Sequence, residues 1–215
     1  MITKDTKIYG SFSKKAGNLG TKLFNLAFKY HGINAIYRSF SVKDIGDAVQ
    51  AARTLKFSGF AVSMPFKQEL LNYVDDVNIE VWDIGAANTV LNVSGKLIAT
   101  NTDYVAARNV IKTYPLFTQM YVLGNGGYAA AVRYAAKELC IEIETITREN
   151  WDSINKIRNG LIFNCTPVEN LEVHKSNKYI DCITSTETGK RLSVIQASWQ
   201  FWLYTGKQFP FQIIL

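Results

Sequence analysis

The residues whose spacing carries the most chemistry lie at one turn, Gly124-Asn125-Gly126-Gly127, followed by Tyr128 and Ala129. An apolar strand pattern, Gln119–Leu123, precedes them. An Ala-rich helix pattern, Tyr128–Leu139, follows, and a further strand pattern, Ile141–Thr147, lies beyond. In that setting Gly124 permits a tight turn out of the strand and Gly126 removes a side chain where a pyrophosphate would approach. The small Ala129 lets the helix sit close to the sheet. The free N–H groups and positive dipole end of the new helix then face the phosphates. The pattern predicts a dinucleotide site; the alternative is a strand-to-helix turn that needs glycines for geometry alone. At the end of the second strand Arg148 suits the 2′-phosphate of NADP, whereas Glu149 beside it would repel one. NADP is therefore favoured, with NAD open.

Acid–base chemistry must come from elsewhere than histidine, because the chain has only His31 and His174. That argues against multi-histidine metal sites and leaves Lys, Asp, Glu or Tyr as proton donors and acceptors. Cys140, Cys165 and Cys182 are odd in number and form no Cys-x-x-Cys pair, so they read as reduced, buried packing residues, and no metal is expected. The 24 basic and 18 acidic residues give a net charge of +6. They are dispersed, with no basic arm or stripe, which speaks against nucleic acid and fits an anionic small molecule. No apolar run approaches the length of a membrane span, and Met1–Lys7 lacks the apolar core of a secretory signal. A cytoplasmic protein, monomeric or homodimeric, is expected.

The elements that must position these residues alternate along 215 residues, of which 47% are hydrophobic and 20% charged. Lys7–Gly10, Asn34–Phe40 and Phe60–Ser63 read as strands. Leu19, Leu23, Leu26, Ala27 and Tyr30 mark one helix that Gly32 would stop. Ile45, Ala48, Val49 and Ala52 mark a second, opened by Ser41 with Asp44 three residues on. Thr89–Val93 and Leu97–Thr100 flank Ser94-Gly95 as a hairpin. A helix starts near Tyr104, and Tyr114-Pro115 breaks the pattern. The alternation predicts an α/β fold with mainly parallel sheets. The expected division is 1–103, an α/β domain; 104–195, a Rossmann-like domain; and 196–215, a helix and tail packing back toward the first.

Several segments, taken in order, resemble the shikimate dehydrogenase family. Gly10-Ser11-Phe12-Ser13 resembles its Ser-x-Ser element, with Asn18 at the following helix start. Ser63-Met64-Pro65-Phe66-Lys67 resembles its Thr-x-Pro-x-Lys motif, Gly85–Thr89 its Gly-Ala-x-Asn-Thr segment, and Asn101-Thr102-Asp103 its Asn-Thr-Asp. Gly124–Ala129 is similar to its cofactor turn, and Leu161–Pro167 to its Asn-Ala-Thr-Pro-type motif. Val194-Ile195-Gln196-Ala197, Phe201 and Tyr204-Thr205-Gly206 resemble its closing helix. Ser63 replaces Thr, Ala61 stands where an Asn precedes the motif, and Lys14–Gly20 lacks the usual Pro and His-Asn pair. These departures look more like the family's divergent branch. The second domain is short: only Glu149–Gly160 separates Arg148 from Leu161, and the usual substrate-reaching Tyr has no counterpart in Asp181–Thr188.

The resemblance implies an N-terminal substrate domain, a Rossmann-like NAD(P) domain, and NADP-dependent interconversion of 3-dehydroshikimate and shikimate in aromatic amino acid biosynthesis. By matched position, Ser11 and Ser13 would bind the acid's carboxylate, and Ser63, Asn88 and Gln196 its ring hydroxyls. Lys67 and Asp103 would form the catalytic pair. Gly124, Asn125, Gly126, Gly127, Tyr128, Ala129, Arg148, Asn164 and Thr166 would hold the cofactor. Each has a plainer alternative: loop hydroxyls for the two serines, an exposed start to a helix Gln68–Tyr73 for Lys67, and a helix N-cap for Asp103. Tyr128, Trp151, Trp199 and Trp202 read as core or interface. A quinate or related hydroxy-acid dehydrogenase, or a ligand-binding paralogue with weak catalysis, are the competing functions.

Overall fold

The computed structural model describes residues 2–114 and 117–213 as two compact units, Met1–Thr102 with Ala197–Leu215, and Asp103–Gln196. The expected break at Tyr114-Pro115 falls partly outside the described residues. In the first unit β1 (Lys7–Ser13), α1 (Leu19–Tyr30), β2 (Ala35–Ser41), α2 (Ile45–Thr54) and β3 (Gly59–Val62) run in turn. A 3-10 turn (Glu69–Asn72), β4 (Asp76–Val77), α3 (Ile79–Ile84), β5 (Thr89–Val93) and β6 (Lys96–Thr100) complete it.

These strands form one six-stranded sheet of order β2-β1-β3-β5-β6-β4. It is mixed, with three of its five pairings parallel. β1 pairs in parallel with β2 and β3, whereas β5 runs antiparallel to both β3 and β6. β5 and β6 form a hairpin: Ser94 (φ 53°) and Gly95 (φ 93°) both take the left-handed region that a two-residue primed turn requires.

Alternation along β1 and β2 sorts the core. Tyr9 and Tyr37 face α1, joining Leu23, Phe24, Ala27, Phe28, Ala197, Phe201 and Phe209. Phe12 faces α2, with Ile45, Val49, Ala52, Phe60 and Val62. The buried stripe of α1 is Leu23, Phe24, Ala27 and Phe28, so Leu19, Leu26 and Tyr30 lie exposed. Its stop is as expected: Gly32 takes φ 64°, and the N–H groups of Gly32 and Ile33 bond back to the carbonyls of Lys29 and Phe28. The cap of α2 is Asp44, which accepts from the Asp47 N–H, rather than Ser41, which ends β2.

The second unit holds α4 (Asp103–Ile111), β7 (Gln119–Leu123), α5 (Gly127–Glu138), β8 (Glu142–Ile146), a 3-10 segment (Arg148–Lys156), β9 (Leu161–Asn164) and β10 (Lys178–Asp181). Its four strands are all parallel, in the order β10-β9-β7-β8. Strand interiors such as Val122, Leu161 and Phe163 are wholly buried beneath Val132, Ala135 and Ala136 of α5. The long α6 (Glu187–Thr205) contributes Leu192 to that core, and its later residues belong to the first unit.

The cysteines are less buried than expected. Cys140 is exposed, in the turn after α5, and Cys165 and Cys182 are half-buried. Trp199 and Trp202 stand 39% and 49% exposed, edge to face with each other, because the inward face of α6 is taken by Ala197 and Phe201. No described helix is long and apolar enough to cross a membrane.

Candidate functional site

In the first unit the candidate residues gather where the parallel strands end. β1 runs three residues beyond the expected Gly10, so Ser11 and Ser13 are strand residues and not loop hydroxyls. Being two apart, they share a face, and their register partners on β2 are Ser39 and Ser41. Ser63 follows β3 directly, and its N–H bonds to the Phe12 carbonyl at 2.9 Å, beside Ser13. A row of hydroxyl residues, Ser41, Ser13 and Ser63, thus crosses the carboxyl edge of the sheet, where open α/β sheets take their ligands.

The turn after β3 brings Lys67 to the same edge. The Phe66 N–H closes onto the Ser63 carbonyl, and the Phe66 ring is buried as an anchor. Lys67 is half-buried, and its carbonyl accepts the Ala87 N–H at 2.9 Å. The Asn88 carbonyl in turn accepts the Val62 N–H at 2.8 Å. Ser11, Ser13, Ser63, Lys67 and Asn88 therefore occupy one backbone cluster. The 3-10 turn begins only at Glu69, so Lys67 precedes it.

Further residues support this cluster. Tyr37 is buried with its phenol facing Ser11, and burial pushes that phenol above the usual tyrosine range. Asn88 is 2% exposed, bonded to Thr102 and Thr89, with Gln200 behind them. Sequence reading missed Tyr37, Thr89, Thr102 and Gln200 as site residues. Thr102 had a signal, its place between Asn101 and Asp103.

The second unit assembles the cofactor candidates along its own carboxyl edge. Leu123 is in register with Ile146 on one side and Asn164 on the other. The Gly124 N–H bonds to the Ile146 carbonyl, and the Cys165 N–H to that of Leu123. The glycine turn thereby lies between Thr147-Arg148 and Asn164–Thr166. Gly124 takes φ 100°, and a Cβ there would stand 3.0 Å from Thr166 Cγ2. A Cβ on Gly126 would meet nothing within 4 Å. Gly126 also caps α5 without any side-chain bond, leaving the first-turn N–H groups as donors. An open cradle, first-turn N–H groups and a positive helix end are the donor set a pyrophosphate requires, so the residues present fit a dinucleotide.

The remaining candidates divide by environment. Asn164 is wholly buried; its oxygen accepts from the Thr166 N–H and hydroxyl at 2.9 and 2.7 Å, and its nitrogen donates to the Val168 carbonyl at 3.1 Å. It braces the loop that carries Thr166. Arg148 is exposed, just after Thr147, whose capping box with Asn150 starts the 3-10 segment. Asp103 is 3% exposed and is itself the first residue of α4. Half-buried Tyr128 lies in its field: burial first, then the charge of Asp103, hold that phenol well above the usual range. Gln196 is half-buried on α6 and donates to the Ser193 carbonyl at 3.2 Å. Among the described residues no group of three or more His, Cys, Asp or Glu is placed to hold a metal ion.

Residues 18–90 match the family model of the shikimate dehydrogenase substrate binding domain. A shikimate dehydrogenase-like protein of Haemophilus influenzae is 39% identical over 139 residues, 64% of this chain and 51% of the relative. A shikimate dehydrogenase (NADP(+)) of Pyrococcus furiosus is 37% identical over 141 residues, covering 62% and 51%. The chain thus spans about half the length of the curated relatives it matches. The solved structure of a shikimate 5-dehydrogenase-like protein aligns over 100% of this chain and 97% of its own, with a TM-score of 0.84 and 27% identity. Shikimate dehydrogenase from Aquifex aeolicus shares the fold over 99% and 97%, with a TM-score of 0.85 at 24% identity.

Proposed function

Because this chain belongs to the shikimate dehydrogenase family, we propose that it is an NADP-dependent oxidoreductase interconverting 3-dehydroshikimate and shikimate. The observation that carries this reading is the cluster of Ser11, Ser13, Ser63, Lys67 and Asn88 at the carboxyl ends of β1 and β3. Hydroxyls, an amide and an ammonium in one cluster suit a polyhydroxylated acid better than an apolar or cationic ligand.

In this reading Ser11 and Ser13 donate to the substrate carboxylate, and Ser63, Asn88 and Gln196 bond the ring hydroxyls. Reducing a ketone puts a proton on oxygen as hydride reaches carbon, so a donor must stand within hydrogen-bond reach of that oxygen. Lys67 takes that role, donating the proton or holding the developing negative charge as an ammonium. Asp103 is the second member of the proposed catalytic pair. When bound, the nicotinamide supplies the hydride donor and acceptor. Gly124, Asn125, Gly126, Gly127, Tyr128 and Ala129 hold the pyrophosphate end through backbone N–H groups. Arg148 binds the 2′-phosphate, while Asn164 and Thr166 form the opposite wall of the turn.

The test mixes purified protein with shikimate and NADP, then with NAD, then with quinate, following reduced-cofactor absorbance. Turnover is expected, faster with NADP than NAD and with shikimate than quinate. In Lys67→Ala it should fall at least about tenfold while shikimate binding weakens less. Unchanged turnover in that variant removes Lys67 from the mechanism. Binding of shikimate without turnover in any pairing replaces the dehydrogenase by a ligand-binding protein.

A further inference from the structure

Cys165 and Cys182 stand side by side at the carboxyl edge of the second unit's sheet. β9 and β10 are parallel, and their last register pair is Asn164 with Asp181. The ladder continues one step further, where the Cys182 N–H donates to the Asn164 carbonyl at 3.1 Å. Both chains then bend alike. Asn164 Oδ1 accepts the Thr166 N–H at 2.9 Å, and Asp181 Oδ1 accepts the Ile183 N–H at 2.8 Å. Each cysteine is thus the middle residue of an Asx turn, and matching turns on adjacent strands keep the two abreast.

Their side chains share a face. Phe163 and Ile180, two residues earlier on their strands, both lie in the core against α5, and Cys165 and Cys182 pack on that same core. Neighbouring strands run about 4.8 Å apart, within the ~4.4–6.8 Å between α-carbons that a disulfide spans. Both thiols are reduced and half-buried, within reach of a small solute. The pair also abuts the glycine turn. The Cys165 N–H donates to the Leu123 carbonyl at 3.0 Å, and a Cβ on Gly124 would stand 3.5 Å from the Cys165 carbonyl oxygen. Above them Tyr128, in the first turn of α5, packs on Phe163 with ring centroids 6.4 Å apart. A shift of Cys165 therefore passes directly to the turn.

We propose that Cys165 and Cys182 form a dithiol modification site that a peroxide closes to a disulfide, loosening the hold of the glycine turn on a dinucleotide. The second half rests on reading that turn as the cofactor site. One thiolate attacks a peroxide oxygen: an S–O bond forms, the O–O bond breaks, and the departing oxygen takes up a proton. The other thiolate attacks the sulfenic sulfur, forming S–S and breaking S–O, and the released hydroxide is protonated to water. The two sulfurs give up the electron pair that the peroxide gains, and an external dithiol reverses the step. Linking the sulfurs pulls Cys165 toward β10, away from the Leu123 and Gly124 backbone that rests on it.

The test treats the full chain with limiting hydrogen peroxide, blocks remaining thiols with N-ethylmaleimide, and weighs the peptides after digestion. A Cys165–Cys182 linked pair should be the main product, removed by dithiothreitol and lost in Cys165→Ser and in Cys182→Ser. Linkage mainly through exposed Cys140, or separate sulfenic and sulfinic acids at the two positions, overturns the site. NADP binding, measured by calorimetry without substrate, should weaken at least about threefold on oxidation and recover with dithiothreitol. With both cysteines replaced by serine, peroxide should leave it within about twofold. Unchanged NADP binding by the linked protein overturns the coupling to the turn, as does loss of the native circular dichroism along with binding. Absence of NADP binding by the reduced protein strikes the cofactor reading alone, and the peptide masses still decide whether the pair closes.

Discussion

The phenol of Tyr37 faces the hydroxyl of Ser11, one residue on β2 and the other on the adjacent parallel strand β1. Tyr37 is held for that contact. Its ring stacks on Phe24 at 4.3 Å, and the Asn25 side chain clamps its backbone N–H and carbonyl at 2.9 and 2.7 Å. A phenol kept neutral by burial can donate to Ser11, which frees the Ser11 proton to point at a ligand oxygen.

Tyr37→Phe removes that donor and keeps the stacked ring. The KM for shikimate should rise roughly three- to tenfold with little change in kcat, and urea unfolding should report a loss of about 1 kcal/mol. A variant equal to the unaltered protein in both measurements would show that Ser11 needs no partner beneath it.

Alkaline pH should unfold the protein through the same group. The ordinary tyrosine value is 10.0, and burial raises Tyr9, Tyr37 and Tyr204 above it. Above pH 10 the unfolded chain releases phenolic protons that the folded chain keeps, so stability is full below that value and falls as pH rises past it. Buried Tyr37 alone should remove up to about 1.4 kcal/mol per pH unit in that window. Tyrosinate absorbance should rise together with the loss of circular dichroism. Full ionisation of these phenols in a still-folded protein would contradict the burial argument.

Local features of this fold were readable from sequence, and those set by distant partners were not. The Ser94-Gly95 hairpin and the Gly124 turn depend on residues adjacent in the chain and on left-handed backbone that glycine permits. The buried stripe of α1 has the period expected of it, yet it passes through Phe24 and Phe28 rather than Leu19 and Leu26, because Tyr37 and Phe201 are the surfaces that it meets. The antiparallel β5 depends on which neighbour the hairpin chooses, a non-local matter. Tyr37 in a strand reads as an ordinary core aromatic, and Gln200 in a helix as a surface amide. Their polar ends acquire meaning only once Ser11 and Thr89 stand opposite.

The two glycines of the cofactor turn should separate folding from binding. Gly124→Ala puts a Cβ 3.0 Å from Thr166 Cγ2 on a backbone with φ 100°. It should destabilise the apoprotein by about 1–3 kcal/mol. Gly126→Ala projects into open space from an ordinary φ of −83°, so apoprotein stability should change by less than about 0.5 kcal/mol. Its effect should appear instead as a rise of at least about tenfold in the KM for NADP, since the added methyl stands where the pyrophosphate approaches. Thermal unfolding without cofactor and kinetics with it check the pair. Equal destabilisation by both would leave the turn with geometry as its only role.

Arg148 should discriminate between cofactors without contributing to the fold. It is exposed at the start of the 3-10 segment, whose cap is provided by Thr147 and Asn150, so Arg148→Ala should leave thermal stability nearly unchanged. A guanidinium paired with a 2′-phosphate makes charge-assisted, bidentate bonds, and its loss should raise the KM for NADP roughly tenfold or more while that for NAD moves within about twofold. Glu149 gives the opposite sign. Its carboxylate follows directly and opposes the phosphate, so Glu149→Gln should lower the KM for NADP, most clearly at low ionic strength where screening is weakest. Steady-state kinetics of both variants with both cofactors decide the matter. Parallel shifts for NADP and NAD in Arg148→Ala would move the phosphate contact to another residue.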